Sequence, residues 1–267
     1  MTRKESPEQI VNTPFGGTLR CWECREGARD EMVLICPGGG YWFLSPREAE
    51  PVMEVWKEQG YHGAILDYCL EKEVLGTGPV EEAAWAMRWL RTNTEWKDKC
   101  HKIWVMGFSA GGHLAASLGA LWNEDEIFTR KEQPLNRPDG LILGYPVISM
   151  GKYGHERSRQ RLTGGQEKLI RMFSLEERDL SGNPPVFLWG TQTDEKVPVE
   201  NSLMYLRKLT QDGIRCEYHM FHQGLHGMSL ATEAVESEEE NMHPDPHIAQ
   251  WTRLCLEWME EVGKKKE

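Results

Sequence analysis

A chain of 267 residues, 39% hydrophobic and 27% charged, has the composition of a folded globular protein, and at that length one main core can bury roughly three quarters of the unfolded surface. A formal net charge of −11 argues against a surface built to neutralise phosphates, so no nucleic-acid partner is expected. No apolar run approaches the roughly 20 residues of a membrane span, and the opening Met-Thr-Arg-Lys-Glu-Ser-Pro-Glu has no apolar stretch of the signal-peptide kind. No membrane contact and a cytoplasmic location are therefore the expectations.

Taken in chain order, residues 18–26 fit a hairpin arm or edge strand. Beyond them, short apolar runs rich in β-branched residues, at 32–36, 64–68, 103–107, 140–145, 186–190 and 216–221, read as strands. Amphipathic stretches at 46–59, 79–91, 110–122 and 198–211 fall between the strands and read as helices, several opening on proline, where its missing N–H costs little. A last helix is expected over 246–262. The alternation predicts an α/β fold with a mostly parallel central sheet and helices on both faces, a single domain over 1–267. Residues 149–185 interrupt the alternation with Gly-rich, charged and helical pieces, and are expected to form a small insertion or lid. Residues 236–240 and 264–266 are short charge runs of solvated loop and tail, and no internal repeat is visible. Odd surface apolar residues leave a homodimer open.

The seven cysteines are odd in number and scattered, which suits reduced thiols. Cys21 and Cys24 form a C-x-x-C, but no second pair stands at zinc spacing, so no metal site is expected.

The chemistry-bearing segment is Gly107-Phe108-Ser109-Ala110-Gly111, preceded by the strand Ile103-Trp104-Val105-Met106 and followed by a helix. A serine hydroxyl is a poor nucleophile near neutral pH and must be held exposed on a tight turn beside a base and near backbone donors. Strand, turn and helix in that order supply the turn, and glycines at 107 and 111 leave room where side chains would collide. Ser109 is the expected nucleophile. Gly38-Gly39-Gly40, directly after the first parallel strand, lets backbone N–H groups approach a substrate closely. Gly39, Gly40 and Ala110 are the expected oxyanion donors, with Tyr41 and Trp42 beside them as substrate contacts. A phosphate-cradling loop is disfavoured, because no Lys-Ser/Thr follows and the G-x-G-x-x-G spacing is missing.

With a nucleophile elbow of this kind the triad runs serine, acid, histidine along the chain. The acid belongs in the loop after the strand at 186–190, where Asp194 is preferred to Glu195. Capping of the following helix is the plainer role for Asp194. His62, His101, His113 and His155 precede this acid; the first three sit in or near core elements and read as structural. His219 falls inside a strand, while His243 and His247 lie in a Pro-broken loop. His226, in Gly224-Leu225-His226-Gly227, is preferred to His222 because flanking glycines suit a loop that turns an imidazole into a site.

Pro-Gly-Gly-Gly-Tyr at 37–41, Gly-Phe-Ser-Ala-Gly-Gly-His-Leu-Ala at 107–115, Asp-Glu-Lys-Val-Pro at 194–198 and Leu-His-Gly at 225–227 resemble the bacterial esterase/lipase group of α/β-hydrolases that includes acetylxylan esterases. The resemblance covers nearly the whole chain. It implies an α/β-hydrolase fold, a triad of Ser109, Asp194 and His226, no cofactor, and hydrolysis of acetyl esters on xylan-derived oligosaccharides. The chain departs from hormone-sensitive-lipase relatives in carrying Pro37 where they have histidine, and from common members of its own group in carrying Gly190 where histidine is frequent. Both changes bear on loop shape and substrate preference rather than on the triad. The rival activities are a general short-chain carboxylesterase and an aryl formamidase. From another class, an inactive binding or scaffold protein on a hydrolase fold is the alternative. Trp42 is the tryptophan best placed to meet a sugar ring, whereas Trp85, Trp89 and Trp104 lie at helix or strand spacing and read as core.

Overall fold

The computed structural model describes residues 6–264, so the first five residues of the chain and Lys265 and Lys266 of the basic run lie outside the described residues. Eight strands form one sheet: β1 (Gln9–Asn12), β2 (Thr18–Trp22), β3 (Glu31–Cys36), β4 (His62–Asp67), β5 (Lys102–Phe108), β6 (Gly140–Gly144), β7 (Val186–Thr191) and β8 (Cys216–Phe221), in the spatial order β1-β2-β4-β3-β5-β6-β7-β8. The β1–β2 and β2–β4 pairs are antiparallel, and every later pair is parallel. The helices are α1 (Glu50–Glu58), α2 (Gly78–Thr92), α3 (Ser109–Leu121), α4 (Gln133–Asn136), α5 (Glu156–Thr163), α6 (Glu167–Phe173), α7 (Glu200–Gln211) and α8 (Trp251–Gly263). Among the described residues no helix is long and apolar enough to cross a membrane.

Successive side chains of a strand point to opposite faces, and a parallel strand buried on both reads as an unbroken apolar run. In Met32-Val33-Leu34-Ile35-Cys36, residues 32, 34 and 36 enter a core with α2, α3 and α7, while Val33 and Ile35 enter a second core with α1 and α8. Trp104, Phe187 and Trp189 join the second core, where Trp189 stacks on Trp251 of α8 with ring centres 4.9 Å apart. Fully burying one Val, Leu or Ile in this way contributes about 1.5–3 kcal/mol. Trp85 and Trp89 are only half-buried, stacking on one another at the edge of the first core.

Two expectations need correction. The helix predicted over 46–59 is split into a single 3₁₀ turn, Pro46–Glu48, and α1, with a break at Ala49. Pro51 is the cause: it has no N–H to donate back to residue 47 and its ring would meet that carbonyl, so the helix must restart at its own first turn. The arm expected at 18–26 is a hairpin that begins earlier, at Gln9, and its second strand ends at Trp22. Buried Glu82 of α2 anchors that hairpin by accepting from the Thr13 hydroxyl and, at 3.2 Å, from Gly17 N–H. The 149–185 stretch carries α5 and α6, with Leu162, Met172 and Phe173 packed into the first core. All seven cysteines are free, and both Cys21 and Cys24 are buried.

His113 of α3 is fully buried between two partners. The Phe173 carbonyl, 2.9 Å away, can only accept, so Nε2 carries the proton, leaving Nδ1 to accept from the Tyr41 hydroxyl at 2.8 Å. Burial pushes its pKa from 6.5 down to about 4 despite the Phe173 carbonyl. The unfolded chain therefore binds the extra proton first, and this group's contribution to stability, complete above pH 6.5, is lost as pH falls towards 4. A His113→Gln protein should lack about 3 kcal/mol of the wild type's stability loss between those limits, measured by urea unfolding at a series of pH values.

Candidate active site

Strand β5 ends at Phe108 and α3 starts at Ser109, whose φ of 52° places a non-glycine residue in the left-handed region. Such a conformation costs about 1–2 kcal/mol and persists only where the surroundings enforce it. Here the two flanking glycines do so. A Cβ on Gly107 would stand 2.1 Å from the Gly111 carbonyl oxygen, and one on Gly111 would stand 2.0 Å from the Cys36 carbonyl oxygen. Only bare backbone lets strand, elbow and helix approach this closely, and the result lifts the Ser109 hydroxyl above the C-terminal ends of the parallel strands.

The structure brings the three residues expected to act together into one hydrogen-bonded row. Ser109 Oγ lies 2.8 Å from His226 Nε2, and His226 Nδ1 lies 2.7 Å from Asp194 Oδ2. Asp194 reaches this position from the loop after β7, and its other oxygen, Oδ1, accepts from Lys196 and Val197 N–H at 2.9 and 2.8 Å. The carboxylate thus organises its own turn with one oxygen and meets the imidazole with the other, and it does not cap the following helix, which starts at Glu200 with no side-chain cap. Glu195 is exposed. His222 is exposed as well, near His247, and takes no part in the row.

Beside the elbow, the glycine loop turns through two positive-φ glycines, Gly39 at 124° and Gly40 at 66°. A Cβ on Gly39 would stand 2.1 Å from the Phe43 carbonyl oxygen, which requires glycine there. Gly39 accepts from Trp42 and Phe43 through its carbonyl, yet among the described residues no group accepts from the N–H of Gly39 or Gly40. Ala110 N–H is in the first turn of α3, where no intrahelical acceptor exists. The three expected oxyanion donors are therefore unspent.

Tyr41 is a correction. Its side chain is 1% exposed and its hydroxyl bonds His113, so it faces the core and is closed to substrate. The turn of the loop through φ 58° at Tyr41 sends successive side chains in opposite directions, leaving Trp42 62% exposed. Arg161 of α5 stands over the Trp42 ring at 5.2 Å while its guanidinium is held by the carbonyls of Tyr41, Glu73 and Leu70. Phe43 and Leu225, the latter next to His226, are also exposed.

Several residues near the site were not assigned to it from the sequence. His155, half-buried at the start of α5, approaches the glycine loop: its Cε1 would be 3.4 Å from a Cβ on Gly40. Its pKa is lowered by burial first and then by neighbouring His226. Glu48 and Tyr145 are buried beneath the row, joined at 2.6 Å. The Tyr145 ring stands edge-on to the His226 imidazole, centres 5.1 Å apart. Nothing in Pro46-Arg47-Glu48 distinguishes that glutamate from a solvated one, since its burial arises from the fold of the loop over the sheet.

Such a row can pass a proton from a serine hydroxyl to an imidazole while unspent N–H groups receive a developing oxyanion, which is the chemistry of acyl transfer. The eight-stranded, mostly parallel sheet with its elbow serine is the α/β-hydrolase fold. The family model BD-FAE matches residues 24–209, most of the chain, and the protein belongs to that family of α/β-hydrolase esterases. It is 31% identical over 215 residues to endo-1,4-beta-xylanase B of Butyrivibrio fibrisolvens and 29% identical over 218 residues to an acetylxylan esterase of Xylanibacter ruminicola, each alignment covering 78% of this chain. The aligned parts amount to 34% and 43% of those relatives, so the chain spans less than half the length of either. Among solved structures it resembles an acetyl ester-xyloside bifunctional hydrolase from Caldicellulosiruptor lactoaceticus, with a TM-score of 0.82, 29% identity and 97% of both chains covered.

Because Asp194 holds His226 in the tautomer that faces Ser109, a fluorophosphonate probe should label Ser109, and Asp194→Asn should slow labelling by about 10⁴-fold. Equal labelling rates in the two proteins, followed by mass spectrometry of the modified peptide, would detach Asp194 from serine activation.

Proposed function

We propose that the protein hydrolyses acetyl esters, with acetylated xylan-derived oligosaccharides as substrates, through a Ser109–His226–Asp194 triad and an acyl-enzyme. The observation that carries the reading is the unbroken row from Ser109 Oγ through His226 to Asp194, at 2.8 and 2.7 Å, beside two N–H groups with no acceptor among the described residues. Ser109 attacks the ester carbonyl while His226 takes its proton, and Asp194 stabilises the imidazolium. The carbonyl oxygen, now negative, receives hydrogen bonds from Gly39, Gly40 and Ala110 N–H. His226 returns the proton to the departing alcohol, and a water molecule, activated by the same imidazole, releases acetate and restores Ser109. The scheme calls for no metal or organic cofactor.

The sugar part of the proposal has two supports. Two relatives carry xylan-directed names and a structural neighbour is named for acetyl esters and xylosides. In addition, the Trp42 ring stands exposed beside the glycine loop, braced by Arg161, where a flat aromatic face suits a pyranose ring.

Acetate release from acetylated xylo-oligosaccharides and from an aryl acetate, and formate release from an aryl formamide, should be measured for the wild type and for Ser109→Ala. Release from the sugar ester, reduced by about a millionfold in Ser109→Ala, is the expected result. Turnover of the aryl acetate alone would leave a general short-chain carboxylesterase, preference for the formamide would make the protein a formamidase, and silence on all three would make it a scaffold. Gly39→Ala is expected to lower kcat by about 100-fold or more with little change in KM, since the new methyl group displaces the donors. Trp42→Ala should raise KM for the sugar ester several-fold and leave that for the aryl acetate nearly unchanged; a uniform effect on both would remove Trp42 from sugar recognition.

A further inference from the structure

One buried carboxylate has no part in that scheme. Glu48 follows the glycine loop in the 3₁₀ turn Pro46–Glu48, is 4% exposed, and has both oxygens occupied. Oε2 accepts from Gly38 N–H at 2.8 Å and Oε1 accepts from the Tyr145 hydroxyl at 2.6 Å. The Tyr145 oxygen in turn accepts from Ser229 N–H at 3.0 Å, three residues beyond His226. A single chain of hydrogen bonds therefore ties the glycine loop, the end of β6 and the histidine loop together. Gly38 is also the residue that touches the elbow, for a Cβ there would lie 3.1 Å from Ser109 Cβ.

The donor count identifies the form of the carboxyl group. Gly38 N–H can only donate, and Tyr145, already accepting from Ser229, directs its proton to Glu48. Both oxygens act as acceptors, as an ionised carboxylate does. Burial holds the pKa of Glu48 above the ordinary carboxylate value, and Tyr145, the charge of His226, Gly38 N–H and Arg47 offset only part of that rise. Arg47 itself is turned towards the carbonyls of Val235 and Gly227, at 2.7 and 2.9 Å, and towards Glu240. Among the described residues, Asp194, His155 and Tyr145 also face His226. Keeping an ion at this depth carries a desolvation penalty, so stability alone does not account for it.

We propose that Glu48 is a positioning residue of the reaction, pinning the glycine loop to the elbow and adding to Asp194 a second buried negative charge that favours the His226 imidazolium. The proposal rests on the triad reading given above. His226 must be neutral to accept the Ser109 proton, so activity is lost at acid pH. Removing a nearby negative charge makes protonation harder and moves that acid limb to lower pH.

The test compares pH profiles of kcat/KM, with kcat and KM separately, for aryl acetate hydrolysis by wild type, Ser109→Ala, Glu48→Gln and Tyr145→Phe. In Glu48→Gln, kcat should fall about 10–100-fold with KM within threefold, and the acid limb should move down by about half a unit or more. Tyr145→Phe keeps the charge and cuts the link, so kcat should fall about tenfold without that downward move. Activity lost in Ser109→Ala together with an unmoved limb in a folded Glu48→Gln protein overturns the Glu48 assignment alone. Activity retained in Ser109→Ala overturns the triad reading and the assignment with it. Should Glu48→Gln fail to fold, Tyr145→Phe decides, because turnover within twofold of wild type there overturns the linkage.

Discussion

The close approach of backbone to backbone at the elbow is the constraint on which the rest of the site depends. Gly111 lies against the Cys36 and Pro37 carbonyls, so the first turn of α3 and the start of the glycine loop occupy adjoining space with no side chain between them. That contact holds Ser109 in its left-handed conformation and sets where the N–H groups of Gly39 and Gly40 stand relative to its hydroxyl. The strain at one residue is small beside the burial of the parallel strands on either side, which is why the sheet can maintain it.

Charge inside the site is handled by the same economy of contacts. Asp194 divides its oxygens between its own turn and His226, so the imidazole is oriented by a carboxylate that cannot itself swing away. Glu48 repeats the arrangement from below, with one oxygen on the glycine loop and the other on Tyr145. In a low-dielectric interior these fixed partners act more strongly than solvated ones and need no rearrangement when charge develops. The 149–185 segment adds a brace at the rim, where Arg161 of α5 fastens Tyr41, Leu70 and Glu73 by their carbonyls and stands over the exposed Trp42 ring.

The departures from the sequence reading share a cause. Tyr41 and Trp42 are neighbours in the chain and equal in aromatic character, yet one is core and the other surface, because the backbone turns through a positive φ at Tyr41. Glu48 belongs to a stretch that periodicity assigns to a helix surface, and only the break before Pro51 and the fold of the loop over Phe108 and Tyr145 bury it. Trp85 and Trp89 have helical spacing on an apolar face and still end at its margin, since the width of the sheet, which no local pattern encodes, decides how far that face is covered.

What the sequence by itself determined is whatever short-range sterics and periodicity control. Strands such as residues 32–36 and 103–107 are apolar throughout because both faces are buried, and Gly107 and Gly111 flank a serine that no other residues could hold in that turn. The chain order of Ser109, Asp194 and His226 was legible for the same reason, each lying just beyond a strand end of the sheet. Tertiary structure alone decided the finer partners: that Asp194 spends only one oxygen on its turn, and that Glu48, Tyr145 and Ser229 join across separations of up to 97 residues. Such contacts depend on where whole elements pack, and a hydrogen bond between residues so distant in the chain leaves no trace in the local pattern of either.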